Sequence, residues 1–142
     1  MTNAIKPTRL TIKKVEAEWF NYHKTLQEIA LLREEIMNPF QESDENVEGG
    51  QSNIPGAPTE NIATRLTASK QLNYLLDIVN AVERVYESLP DNYKRLAKLR
   101  YWNKNNEMKW DGIALELKVS TRQAQRWRDE IMRATLSILG WR

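Results

Sequence analysis

The 142-residue sequence predicts an all-α fold. Apolar residues recur at alternating three- and four-residue spacing over two long stretches, which is the period of a helix that buries one seam. Three of the five glycines and three of the five prolines fall in one segment, residues 38–58, so the chain on either side is nearly free of helix breakers. Near the C-terminus, two short apolar patterns flank a tight polar turn, as in a helix-turn-helix. The expected architecture is two long amphipathic helices joined by a disordered acidic loop, followed by that C-terminal module.

The first helix is expected over Thr11 to Met37. Ile12, Val15, Trp19, Tyr22, Leu26 and Ile29 form a heptad seam, which shifts to Leu32 and Ile36 because Arg33 takes the next expected position. Thr11 can cap the first turn, and Pro39 helps to stop the helix. Residues 38–58, with four acidic and no basic side chains, are too polar to order by burial and read as a flexible linker.

The second helix is expected over Thr59 to Ser88, with Ile62, Leu66, Leu72, Leu75, Val79, Val82, Tyr86 and Leu89 as its stripe. Two helices with matching seams can pair within one chain or between two. Trp19, Tyr22 and Tyr74 add apolar area beyond one seam, which favours a homodimer through the long helices. Leu89-Pro90 marks a domain boundary, dividing an N-terminal interaction part, 1–89, from a DNA-binding part, 90–142. Pro90 suits the first turn of the next helix, Asp91 to Trp102, because its missing N–H is not needed there. Tyr93, Leu96, Ala97, Leu99 and Arg100 lie around its core face, and Asn103, Asn105 and Asn106 make a polar turn.

In the helix-turn-helix, Trp110, Ile113, Ala114 and Leu117 share one face. Ala114 is small where the two helices must approach closely. Lys118, Val119 and Ser120 make the turn, with Val119 pointing inward. Ser120 and Gln123 have the spacing of a capping box. The second helix is expected to bury Ala124, Trp127, Ile131, Ala134 and Ile138. Gly112 costs the first helix about 1 kcal/mol relative to alanine, and Asn106 is its only good cap.

The opposite side of the second helix exposes Thr121, Arg122, Gln125, Arg126 and Asp129. Arginine can contact a guanine edge through two hydrogen bonds, and glutamine an adenine edge. Thr121, Arg122, Gln125 and Arg126 are therefore the expected base readers. Lys109, Lys118, Ser120 and Arg128 are the expected phosphate contacts, Ser120 because the free N–H groups of a helix start favour an anion. The plain alternative is two packed helices with a solvated polar face, in which Arg126 and Asp129 form an ordinary surface ion pair.

Charge supports a DNA partner. Residues 90–142 carry 12 Lys/Arg against 6 Asp/Glu, a net +6, and residues 1–89 carry 9 against 13, a net −4. The absence of cysteine excludes disulfides and thiolate zinc sites, and the single histidine, His23, argues against a histidine-built metal site. No cofactor is expected. No apolar run reaches the ~18 residues of a membrane span, and residues 1–10 lack the apolar core of a signal peptide. No enzyme constellation and no glycine-rich phosphate loop are present. A protein of the cytoplasm, without catalysis, is expected.

From Leu89 onward the chain resembles region four of bacterial sigma factors. Leu89-Pro90, Leu99-Arg100-Tyr101-Trp102, Ile113-Ala114, Leu117, Val119-Ser120 and Ala124 carry the match. Lys109 stands about where those proteins have serine or threonine, and no region two precedes it, so a complete sigma factor is not supported. The run Tyr22 to Pro39, with Arg33, Glu35, Ile36, Met37 and Pro39, followed by an acidic stretch and Gly49-Gly50, resembles the RinA/ArpU group of phage transcriptional regulators. The order of segments agrees over nearly the whole chain. That resemblance implies a late-gene activator of a temperate phage in a Gram-positive bacterial host, acting upstream of packaging and structural genes with host RNA polymerase as partner.

The expected function is sequence-specific binding of double-stranded DNA that activates transcription. Two rivals are a small terminase subunit, which would assemble as a ring of eight or more, and an interaction protein that binds polymerase without DNA.

Overall fold

The computed structural model describes residues 7–37, 57–104 and 108–142, with side chains of the second stretch described from residue 62. The order is α1 (Arg9–Phe20), α2 (Tyr22–Met37), α3 (Ala57–Ser88), α4 (Asp91–Tyr101), α5 (Trp110–Leu117) and α6 (Thr121–Leu139). No strand occurs among the described residues, so the fold is all-α. The expected linker, apart from Ala57 and Pro58 in α3, lies outside the described residues, as do Asn105 and Asn106.

The first expected helix is divided at Asn21, whose φ of −91° and ψ of 7° end α1. Asparagine is weak inside helices because its side chain competes for backbone partners. Thr8, not Thr11, caps α1: its hydroxyl accepts the Thr11 N–H at 3.1 Å. Thr11 is instead buried and donates to the Arg142 carbonyl at 2.7 Å.

Residues 1–22 and 78–142 form one compact unit, and residues 23–77 a second. The expected boundary at residues 89 and 90 therefore falls inside the first unit. The reason is that α1 and the end of α3 supply core to the C-terminal helices. Val15 and Trp19 from α1, with Val82 and Val85 from α3, share one apolar cluster with Leu96, Ala97, Tyr101, Ile113, Leu117, Ala124, Ile131 and Leu136.

Trp19 is fully buried, and its indole N–H donates to Thr135 Oγ1 of α6 at 3.1 Å. Thr135 in turn donates to the Ile131 carbonyl at 2.9 Å, so both buried polar groups are satisfied. Trp102 stacks on Trp19 with centroids 5.5 Å apart and donates its N–H to the Trp19 carbonyl at 2.9 Å.

That docking of α1 changes which face of α6 is buried. Ala124 and Ile131 are buried as expected, but Ala134 and Ile138 are exposed, and Met132, Thr135 and Leu136 are buried in their place. The buried stripe is turned toward α1 in the second half of the helix. In α4, Tyr101 is buried beside Leu96 and Ala97; the helix ends at Tyr101, and Pro90 is its N-cap, not its first residue.

In the second unit, Thr25, Ile29 and Ala68 are buried, Leu32 and Ile36 are half-buried, and Leu26 is exposed. The seam runs through Thr25 where the heptad reading had Leu26. Ile62 and Leu66, expected in the α3 stripe, are exposed. No described helix is long and apolar enough to cross a membrane.

Candidate nucleic-acid interface

The turn between α5 and α6 sets the direction of α6. Lys118 closes α5 with φ 60° and ψ 43°, the left-handed conformation that usually falls to glycine. The Val119 N–H reaches back to the Ala114 carbonyl at 3.0 Å, and the Lys118 N–H to the Leu115 carbonyl at 3.2 Å. This pair of bonds is the Schellman closure, and it carries Val119 against the core. Ala114 is buried on the face of α5 next to that closure. Ser120 then opens α6, its hydroxyl accepting the Gln123 N–H at 3.0 Å, which is the serine half of the expected capping box.

Nothing comparable opens α5. Its N-cap is Lys109, which makes no side-chain capping bond. A Cβ at Gly112 would meet the Met108 methyl at 3.3 Å, so that the end of this flexible side chain would have to give by a few tenths of an ångström.

The eight predicted site residues separate into four groups. Arg122 and Arg126 are exposed and sit one turn apart on α6, with Gln125 half-buried beside them. Arg133, missed by the sequence reading, extends the same exposed stripe, ~17 Å along the helix from Arg122 at 1.5 Å per residue. Its spacing of seven from Arg126 was the available signal.

Lys109, Lys118 and Ser120 are also exposed, in the segments that lead into α5 and α6. Thr121, at the first position of α6, donates its hydroxyl to Asp111 Oδ1 of α5 at 3.1 Å.

Arg128 is arranged differently. Its guanidinium lies 3.2 Å from Glu16 Oε2 of α1 and 2.7 Å from Asp129 Oδ1, and packs over the Trp110 ring at 5.1 Å. Burial opposes its charge, but Glu16, Asp129 and the Tyr101 phenol outweigh that and raise its pKa above the usual value. The same Glu16 oxygen accepts the Tyr101 hydroxyl at 2.6 Å. Burial first, then the Glu16 charge and hydrogen bond, push the Tyr101 phenol up, so it stays a donor. One carboxylate of α1 thus holds α4 and α6 together. Asp129 pairs with Arg128 and not, as considered above, with Arg126.

Around these residues the packing is aromatic. Tyr93 stacks on Trp127 at 4.9 Å and donates to Glu130 of α6 at 2.6 Å. Arg100 donates to the Met108 carbonyl at 2.6 Å and lies over Trp110 at 4.7 Å, bracing the segment before α5. The result is a short-turn helix pair whose second helix shows a stripe of guanidinium groups to solvent.

A family described as a protein of unknown function, DUF722, matches residues 17–136. The chain is 29% identical over 133 residues to a protein of Staphylococcus phage phi11 named transcriptional activator rinA, covering 92% of this chain and 91% of that protein. No solved structure matches.

Proposed function

The chain belongs to the DUF722 family of proteins of unknown function, and on that footing we propose that it is a phage transcriptional activator that binds a specific double-stranded DNA site. The observation that carries this is the α5–turn–α6 pair: a left-handed closure at Lys118, a serine-capped second helix, and Arg122 and Arg126 exposed on its outer face. The similarity of nearly the whole chain to a protein named as a transcriptional activator supports it.

In this reading α6 enters the major groove as the recognition helix of a sigma-region-four-like helix-turn-helix. Arg122 and Arg126 face guanine edges, Gln125 an adenine edge, and Thr121 a base at the helix start. Lys109, Lys118 and the N–H groups behind Ser120 hold phosphates. Arg128, already held by Glu16 and Asp129, positions α6 and leaves the phosphates to the lysines. The sites controlled are late promoters of packaging and structural genes, and activation works through host RNA polymerase in the bacterial cytoplasm.

Binding is tested by fluorescence anisotropy on duplexes from the region upstream of the packaging genes and on random duplexes, across a salt series. Tighter binding to the first set, weakening with salt at a log–log slope of about −2 to −4 per protomer, is expected. No affinity for any duplex at ~50 mM salt overturns the proposal. Transcription from a late promoter by host RNA polymerase, with and without the protein, tests activation.

A further inference from the structure

The hydrogen bond between Thr121 and Asp111 restricts what the start of α6 can recognise. A threonine hydroxyl has one proton to donate and two lone pairs to accept with, and a carboxylate only accepts. Thr121 gives its proton to Asp111 Oδ1 at 3.1 Å. Its remaining capacity is therefore acceptance alone. Asp111 stands in the first turn of α5 and is exposed, so the Asp111–Thr121 pair offers oxygen lone pairs to a base and no side-chain proton. Arg122, the next residue, has the reverse character, five donors and no acceptor.

The major groove distinguishes these two kinds of reader. Cytosine N4 and adenine N6 are donors there, whereas guanine O6 and N7 and thymine O4 are acceptors. An acceptor-only pair of side chains bonds an amino group and repels a keto group. A free threonine hydroxyl would rotate to suit either.

We propose that Asp111 is a specificity-determining positioning residue, which holds the Thr121 proton and so makes the start of α6 selective for the amino group of cytosine or adenine. The proposal rests on the DNA-reading role given to α6 above.

The test is selection of bound duplexes from a random pool by the full chain, as the original sequence, as Asp111→Asn and as Thr121→Val. An asparagine amide can donate to the Thr121 oxygen, which frees the hydroxyl proton. With the original protein, one position of the selected site is restricted to cytosine or adenine on the strand facing Thr121, with about five- to tenfold preference over guanine or thymine. Asp111→Asn admits guanine or thymine at that position and leaves the arginine-read positions as they were. Thr121→Val removes the preference at the same position.

Asp111 is exposed and Thr121 half-buried, and equal melting temperatures of the three proteins show that the fold is kept. Selected sites with an unchanged restriction in Asp111→Asn, or with a keto base in the original, overturn this proposal and leave the DNA-binding reading standing. A pool with no enriched sequence overturns the DNA-binding reading, and this proposal with it.

Discussion

On the proposed DNA-binding role, Lys118→Gly should move stability and DNA affinity in opposite directions. Lys118 holds φ 60° and ψ 43°, where an L-residue is strained by roughly 1–2 kcal/mol and glycine is not. Glycine also loosens the unfolded chain, which takes back about 0.4–1 kcal/mol. The side chain is exposed, so no packing is lost, and both closing hydrogen bonds use backbone atoms that glycine keeps. The net expectation is a gain of about 0.5–1 kcal/mol, or roughly 2–4 °C in melting temperature at this chain length. Loss of one phosphate contact should weaken binding to all duplexes alike and reduce the log–log salt slope by about 0.9. Thermal unfolding followed by circular dichroism reads the first effect, and anisotropy over a salt series reads the second. Lys118→Asn is the control, because asparagine tolerates the left-handed region without a charge. A less stable Lys118→Gly protein refutes the strained turn. An unchanged salt slope in both variants removes Lys118 from the phosphate contacts.

The remaining expectations concern single side chains. Arg126→Ala should lose about 1–3 kcal/mol on the specific site and less on random DNA, measured by competition binding; equal losses would make it a phosphate contact. Ser120→Ala should destabilise the protein by about 1 kcal/mol in urea unfolding without changing the preferred sequence, since its hydroxyl caps Gln123 N–H. Tyr22 and Tyr93 predict an alkaline loss of stability. Burial, then the hydrogen bond and charge of Glu83, then Glu87, push the Tyr22 phenol up from 10 to about 12. The Glu130 hydrogen bond, followed by burial and the Glu130 charge, brings Tyr93 to about 12 as well. A phenol whose folded pKa is raised favours the fold fully below pH 10, and that contribution is lost as pH rises through 12. Urea unfolding across this range should show a decline that is shallower in Tyr22→Phe, and an identical decline would contradict the assignment.

The fold class and the positions of α3 to α6 were legible in the sequence because they depend on local signals: helical period, a proline at residue 90, a capping serine at residue 120. What local signals could not convey was how the helices meet. Periodicity alone continues the stripe of α6 through Ala134 and Ile138, yet Met132, Thr135 and Leu136 are buried. The difference is made by Trp19, more than one hundred residues away, whose indole N–H needs the Thr135 hydroxyl. A threonine is a poor candidate for a core position until its partner is known. Likewise Thr25 is buried where the heptad reading had Leu26, in a helix that begins anew after the break at Asn21.

The candidate interface divides along the same line. That Arg122 and Arg126 face outward, with Gln125 half-buried beside them, follows from their spacing and from the capped start of α6, and all of it is local. The environments of Arg128 and Thr121 are set by carboxylates on other helices, Glu16 on α1 and Asp111 on α5. Helix geometry places Arg128 between the exposed stripe and the core, and there a guanidinium can serve either a phosphate or a buried carboxylate. In the structure it meets Glu16, which is mostly buried and already accepts the Tyr101 hydroxyl, so that withdrawing Arg128 would leave a buried charge uncompensated. The consequence reaches the domain organisation. A helix that supplies Val15, Trp19 and the carboxylate holding α6 is part of the same compact unit, and α1 belongs with α4 to α6 despite the long separation in sequence.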